Sequence, residues 1–201
     1  EVPENITAGI LGTVAETLTT DERFEKALES ALGTFLQYLV VENRQAGLAA
    51  IDFLRATDAG RGGFLPKDII GEGYQESPKI EGTLGRALDL VNVDSQYGEL
   101  AQVLLHSIYF VESLEKATQL LDSGASAHLP NAIFVTLDGD CVSQAGRVAG
   151  GAVRDGGVFA KQREIRELED TVEVIDSRIE KLVGKQEEIS QQRLQTEIDL
   201  Q

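Results

Sequence analysis

The residues whose spacing could support chemistry are glycines. The segment AGRVAGGAVRDGG, residues 145–157, follows a predicted hairpin over 133–143, whose Asp138–Gly139 pair is typical of a type I′ turn. Successive glycine amides can bind an anion, so one interpretation is a phosphate cradle. Glycine also leaves room for a second backbone, so the other interpretation is that a strand from another chain binds here. We favour the strand, because the glycines precede an exposed polar helix and Lys161 is misplaced for a phosphate-binding lysine.

Other reactive side chains are few. Cys141 is the single cysteine, and His106 and His128 are the two histidines, so no metal-ligand spacing can be assembled. A Cys141–His128 nucleophilic pair is disfavoured, because Cys141 falls in a predicted strand, where a small buried hydrophobe is usual, and His128 falls in a loop. His106 ends a predicted helix, where it favours the helix dipole. We therefore expect no enzymatic activity, cofactor or metal in this chain.

The charge balance limits the partners. The formal net charge is −16, and the segments 1–157 and 158–201 are both acidic. Phosphate neutralisation supplies most of the affinity of nucleic-acid binders, so any DNA contact should be local and salt-sensitive. The chain shows no secretion signal and no apolar run that could span a bilayer, which predicts a cytoplasmic location and no membrane partner. It contains no methionine, even at position 1, and we expect it to be a piece of a longer protein.

The sequence contains an internal repeat. Thr19 and Glu22 have the form of a capping box that opens an amphipathic helix. A strand at 37–41 and a helix from Asn43 follow. A shift of 73 residues aligns this unit with a second copy that starts at Thr83. The aligned pairs are Leu11 with Leu84, Gly12 with Gly85, Asp21 with Asp94, and Phe24 with Tyr97. The buried face of the first helix is predicted to be Phe24, Ala27, Leu28, Ala31, Leu32 and Phe35.

The repeat predicts an α+β body with two pseudo-symmetric helix/strand subdomains. Subdomain one covers about 8–70 and subdomain two about 83–157, within a domain of residues 1–157. A glycine-rich connector, about 56–82, includes a short strand around Phe64, Leu65, Ile69 and Ile70.

Residues 158–201 predict a long coiled-coil helix. A helix of about 40 residues is roughly 60 Å long, so we expect it to project from the body. Its narrow apolar stripe needs a partner helix, and we expect that partner in sequence upstream of Glu1. The heptad seam consists of Ile165, Leu168, Val172, Ile175, Ile179, Leu182 and Ile189.

Several motifs resemble the hinge domain of structural maintenance of chromosomes (SMC) proteins of the prokaryotic condensin type. The motifs are GTVAETLTTDERFEKALESALG, LVVE, GRGGFLP, LGRALDLV and above all VTLDGDCVSQAGRVAGG. The resemblance covers residues 8–157 and continues into the helix. Family hinges carry a VTLDG hairpin and then two glycine pairs separated by three residues. Ala145 replaces the first glycine of the leading pair, and we expect this extra methyl group to be tolerated.

The resemblance implies a homodimer in which two hinges meet through two symmetry-related contacts and form a ring. The implied interface residues are Gly146, Val148, Gly150 and Gly151. In the family, the coiled-coil arms fold back at the hinge and pair, and distant heads bind ATP and Mg²⁺ and kleisin-type subunits. No GxxxxGK[ST] motif occurs in this chain, so it should not hydrolyse ATP. An unrelated coiled-coil scaffold with its own dimerisation module is the alternative.

The resemblance also implies DNA contact at the junction between hinge and coil, on the nucleoid. Family members carry several cations there. In this chain the candidates are Arg147, Arg154, Lys161 and Arg163, and acidic residues are interleaved with them. A solvated junction is the other interpretation, so we expect DNA contact by this chain to be weak.

Overall fold

The computed structural model describes residues 7–68, 77–124, 127, 129, 131–151 and 157–199. Contacts divide the chain into two compact units, Glu1–Ala160 and Lys161–Gln201. Within the described residues, no helix combines the length and the apolar character needed to cross a membrane.

The first repeat alternates strands and helices. Its strands are β1 (Ile10–Thr13), β2 (Leu18–Thr20), β3 (Leu39–Val41) and β4 (Phe64–Pro66). Its helices are α1 (Val14–Thr17), α2 (Glu22–Leu32), a 3₁₀ turn (Gly33–Gln37) and α3 (Arg44–Thr57). The helix α3 begins where it was predicted, because the Asn43 side chain accepts a hydrogen bond from the Ala46 amide and so caps the first turn.

The second repeat has the same order of strands and α-helices, but its 3₁₀ turn precedes the corresponding helix instead of following it. Its strands are β5 (Gly85–Arg86), β6 (Val91–Val93), β7 (Ile108–Val111) and β8 (Ile133–Thr136). Its helices are α4 (Ala87–Leu90), a 3₁₀ turn (Ser95–Tyr97), α5 (Gly98–Leu105) and α6 (Leu114–Asp122). Two further strands, β9 (Cys141–Ser143) and β10 (Val148–Ala149), extend this repeat, and the long helix α7 (Val158–Asp199) ends the chain.

The sheets repeat one arrangement. The first has the order β1-β3-β4, with β3 antiparallel to β1 and parallel to β4. The second has the order β10-β9-β8-β7-β5, in which β7 is antiparallel to β5 and parallel to β8. A two-stranded ladder of β2 and β6 joins the two repeats. The α+β fold with two related halves is therefore confirmed.

The two repeats share one hydrophobic core. The helix α2 of the first repeat packs against strands of the second, where Phe24 and Phe110 stack with ring centroids 5.0 Å apart. A second cluster lies between the five-stranded sheet and α6, and it contains Tyr109 and Phe134, both fully buried. Because α2 crosses to the sheet of the other repeat, its buried face belongs to a cluster that contains residues of both halves.

Three local predictions are wrong. The capping box forms between Thr13 and Glu16 instead of at Thr19, which lies in β2. Phe35 is 45% exposed, because the helix ends at Leu32 and the 3₁₀ turn after it breaks the helical spacing. The third error is the turn at Asp138–Gly139. A type I′ turn needs positive φ at both central residues, and only the glycine has it.

The hairpin turn instead has three residues, 137–139. The Thr136 amide donates to the carbonyl of Asp140, and the Gly139 amide donates back to the carbonyl of Thr136. Gly139 has a φ of +88°, which is the left-handed position that follows a type I turn in three-residue hairpin loops. The predicted strand residues Ile69 and Ile70 lie outside the described residues.

Candidate functional site

The second hairpin, β9–β10, contains the glycines that the sequence predicts at an interface. Its turn, 144–146, repeats the geometry of the first hairpin. The Ser143 amide donates to the carbonyl of Arg147, and the Gly146 amide donates to the carbonyl of Ser143. Gly146 has a φ of +85°, so the turn itself requires glycine there. Ala145 does not need positive φ, which explains why its methyl group fits the turn.

The strand β10 is a free edge of the five-stranded sheet. Val148 pairs with Val142 and Ala149 with Cys141, which leaves the other side of β10 without a partner among the described strands. Val148 is 78% exposed, although valine is apolar. An exposed apolar edge strand is a template for strand addition by another chain.

Gly150 and Gly151 follow β10, and the side chain of Asp140 lies against the backbone of both residues. The Gly151 amide donates to Asp140 Oδ1 at 2.9 Å, and Gly151 has a φ of +122°. A Cβ atom at Gly150 would overlap the carboxylate of Asp140. The fold of a single chain therefore already explains why glycine occupies both positions, and the role of the two glycines at an interface stays a prediction. A carboxylate that already accepts from this backbone also disfavours a phosphate there, because the two anions would repel each other.

A second free edge lies in the first repeat. The strand β4 corresponds to β8 of the second repeat. Each is the third strand of the repeated arrangement, and each pairs in parallel with the middle strand, β3 or β7. The outer side of β8 is occupied by β9, but none of the described strands occupies the outer side of β4. Phe64, Leu65 and Pro66 are only half-buried. The pseudo-symmetry therefore indicates a strand-binding edge at β4.

The predicted DNA-binding residues differ in their environments. Arg147 donates from Nη2 to the carbonyl of Ser30 at 3.3 Å. Lys161 is exposed and Arg163 half-buried on α7. They lie two positions apart, so they do not share a helix face. Arg154 lies outside the described residues. The DNA-binding role of these cations stays a prediction.

The predicted seam of α7 is an exposed apolar stripe. Its seven residues are between 51% and 64% exposed. Val174 and Val183 are also exposed on this helix, and the heptad pattern did not include them. A stripe of this kind on a 42-residue helix is typical of a coiled-coil surface.

Two of the remaining reactive side chains, Cys141 and His106, have structural roles, and His128 lies outside the described residues. Cys141 is fully buried in β9. Nδ1 of His106 lies 3.1 Å from the carbonyl oxygens of Gln102 and Val103, at the end of α5. Across the described part of the chain, no three His, Cys, Asp or Glu side chains are grouped as metal ligands.

A partly buried ion pair lies away from the hairpins, at the start of α4. Arg86 is nearly buried and donates two hydrogen bonds to Asp89, from Nε at 2.8 Å and from Nη2 at 2.7 Å. The hydrogen bonds from Arg86 are the main reason that the pKa of Asp89 is lowered from its ordinary value. Tyr109 lies next to it and donates to the carbonyl of Pro78 at 3.0 Å, and burial raises the pKa of its hydroxyl.

Three side chains that were not predicted from the sequence hold the two hairpins and the start of α7 in place. Glu29 and Ser30, both on α2, contact the start of α7 and the first hairpin, and Asp140 holds the backbone after β10. The α2 contacts join residues more than 100 positions apart. No local signal in the sequence indicates them.

Comparison with known proteins gives one family. The model of the SMC proteins flexible hinge domain matches residues 7–121. The chromosome partition protein Smc of Fusobacterium nucleatum is 32% identical over 176 residues, and that of Bacillus subtilis is 32% identical over 187 residues. These matches cover 86% and 90% of this chain but only 14% and 15% of the two relatives. The chain thus spans a small part of their length.

Solved structures agree with the family match. An asymmetric dimer of the Geobacillus stearothermophilus SMC hinge domain superposes with a TM-score of 0.68 at 27% identity, covering 90% of this chain and 78% of that one. The Pyrococcus furiosus SMC hinge domain superposes with a TM-score of 0.61 at 26% identity, covering 77% of this chain and 82% of that one.

Proposed function

This chain belongs to the SMC hinge domain family, and from that premise we propose that it is the homodimerisation hinge of a chromosome partition protein. The observation that supports the proposal most directly is the exposed edge strand β10, with Val148 78% exposed. The solved relative from Geobacillus stearothermophilus is described as a dimer, although an asymmetric one.

The two free edges suggest how the dimer is built. The strand β10 of one protomer adds to β4 of its partner, as β9 adds to β8 within one chain. A two-fold axis makes this contact twice, once in each direction. Two such contacts close a ring, and each extends a sheet across the interface. Backbone hydrogen bonds supply affinity in this kind of strand addition, while exposed apolar side chains such as Val148 become buried.

For the whole protein we propose the arrangement that the resemblance to SMC proteins implies. The helix α7 forms one strand of a coiled-coil arm and pairs with a segment upstream of Glu1. Heads outside this chain bind ATP and Mg²⁺ and engage kleisin-type subunits. The dimer joins two arms into a ring or V that organises and entraps DNA, in the cytoplasm and on the nucleoid. The hinge itself contacts DNA weakly through Arg147, Arg154, Lys161 and Arg163.

The mass of the chain in solution tests the proposal. Multi-angle light scattering at micromolar concentration should give twice the monomer mass of 21.8 kDa. A monomer at this concentration would contradict the dimerisation role.

A titration with duplex DNA tests the nucleic-acid contact separately. Affinity should be weak at low salt and should fall steeply as salt is raised, because a few phosphate contacts supply nearly all of it. Affinity that is tight and independent of salt would contradict this part of the proposal.

A further inference from the structure

The start of α7 is held by a residue far away in the sequence. The Phe159 amide donates to Glu29 Oε1 at 2.7 Å, across 130 positions. Gly157, directly before the helix, has no side chain that could cap it. Amides in the first turn of a helix have no partner within the helix, and a carboxylate there satisfies one of them and interacts favourably with the helix dipole. Glu29 thus supplies from α2 a side-chain cap that Gly157 cannot provide.

The surroundings are fitted to this contact. A Cβ atom at Gly157 would overlap the carboxylate of Glu29, so the absence of a side chain there makes room for the cap. The Phe159 side chain is 4% exposed and belongs to the shared core, which also anchors the first turn.

The same turn of α2 also holds the first hairpin and Arg147. The Ser30 hydroxyl donates to the carbonyl of Gly139, and Lys26 Nζ lies 3.9 Å from Asp138 Oδ1. The Ser30 carbonyl accepts from Arg147, at the base of β10. The consecutive residues Glu29 and Ser30 therefore contact the start of α7 and Arg147, the residue directly before the strand proposed for dimerisation.

We infer that Glu29 is a tertiary N-cap that determines where α7 begins and ties this start to the helix turn that supports the β9–β10 hairpin. That α7 is the coiled-coil arm rests on the proposed function. The cap itself does not.

Amide exchange on the 201-residue chain tests the cap. In Glu29→Ala the Phe159 amide loses its acceptor, and its exchange should quicken about fivefold, the value expected for a typical cap. Exchange of the amides of residues 162–164 should quicken to a smaller extent, because these amides donate to carbonyls of the first turn. Glu112→Gln removes a carboxylate from an exposed position outside the helices and strands, and it should exchange like the unsubstituted chain. Unchanged exchange at Phe159 in Glu29→Ala would overturn the inference.

A double-mutant cycle separates the cap from general damage to the fold. Gly157→Ala places a methyl group where the Glu29 carboxylate lies, so alone it should also quicken exchange at Phe159. In the Glu29→Ala background the same substitution should add little, because nothing is left for the methyl group to displace. Equal effects in both backgrounds would overturn the inference. Light scattering on the same samples reports dimerisation, so a monomeric unsubstituted chain would contradict the proposed function and leave this test intact.

Discussion

Thr19 and Asn92 face each other at the centre of the β2–β6 ladder, where the Thr19 hydroxyl donates to the Asn92 carbonyl at 3.4 Å. They are 73 residues apart, which is the shift that aligns the two sequence repeats. Leu18 pairs with Val93 on one side and Thr20 pairs with Val91 on the other. Leu18 therefore faces the residue that corresponds to Thr20, and Thr20 faces the residue that corresponds to Leu18. The pseudo-two-fold axis therefore passes between these two residues.

The same pseudo-symmetry places a glycine in the first strand of each repeat. Gly12 pairs with Val40, and Gly85 pairs with Phe110. Both have positive φ, +130° and +151°. The repeat thus preserves a backbone conformation that residues with side chains rarely adopt.

We expect Gly12→Ala to destabilise the body by about 1–3 kcal/mol, the usual range for a residue held in a sparsely populated backbone region. The added Cβ would also lie 2.6 Å from Glu16 Oε2, the oxygen that accepts from the Thr13 amide in the capping box. Urea unfolding followed by circular dichroism measures the loss. The control is Gly98→Ala in α5, where φ is not positive and no atom lies within 4 Å of the new methyl group. It should be neutral or slightly stabilising, and equal losses in both variants would contradict the argument from backbone strain.

Val148→Lys should weaken the dimer at least tenfold without unfolding the protomer. A charge on an exposed edge strand opposes strand addition, because it would have to be desolvated at the interface. The side chain is already 78% exposed, so the fold of one chain should tolerate lysine. Sedimentation equilibrium gives the dissociation constant, and thermal unfolding checks the fold. Leu48→Lys on α3 is the matched control, since Leu48 is also an exposed apolar side chain (55%) and lies on a helix. An unchanged dimer in Val148→Lys would remove β10 from the interface.

The backbone around 146–151 could be predicted from the sequence only in part. The glycine spacing correctly indicated a special backbone around 146–151, because glycine at such positions has few explanations. It could not separate the explanations from one another. Gly146 serves its own turn and Gly150 makes room for Asp140, and both facts depend on side-chain and backbone positions that become known only once the strands have paired. Substitutions at these glycines would disturb the hairpin itself, whereas Val148 reports on the edge alone.

The fold was more predictable than the site, and the repeat is the reason. Helical spacing from Phe24 to Leu32 indicates one buried face, and the 73-residue shift supplies the second copy. The pattern gives no sign that α2 packs against the sheet of the other repeat. The contacts of Glu29 and Ser30 follow from that crossing, so they could not be read from spacing within either copy.

The Arg86–Asp89 pair predicts an acid-dependent loss of stability. The pKa of Asp89 is lowered in the folded protein from its ordinary value of 3.8, mainly by the hydrogen bonds from Arg86. Its contribution is therefore fully present above pH 3.8 and is lost as the pH falls through the lower, folded value. Asp89→Asn should be less stable than the unsubstituted chain at neutral pH, because the nearly buried Arg86 loses its charged partner.

Urea midpoints between pH 7 and pH 2 test this linkage. The difference between Asp89→Asn and the unsubstituted chain should shrink as the pH falls below 3.8. The control is Asp52→Asn, because Asp52 forms an exposed pair with Arg55 on α3, where ion pairs contribute little. A difference for Asp89→Asn that stays constant over this whole range would exclude titration of Asp89 as its source.

The exposed seam of α7 should associate with a second helix, and one substitution can show whether the heptad stripe is responsible. Ile175 occupies a d position and is 51% exposed, whereas its neighbour Val174 lies outside the seam and is 69% exposed. At low concentration we expect rapid amide exchange from Ile165 to Ile189, because an unpaired helix with a narrow apolar stripe is marginal in water. Raising the concentration should slow this exchange as seams of different molecules pair.

Ile175→Lys should abolish that concentration dependence, because burying a charge in a coiled-coil seam is unfavourable. Val174→Lys introduces the same charge one position away and should leave the dependence in place. Equal behaviour of the two variants would mean that α7 does not associate through its heptad seam, and full protection at low concentration would mean that the stripe already has a partner.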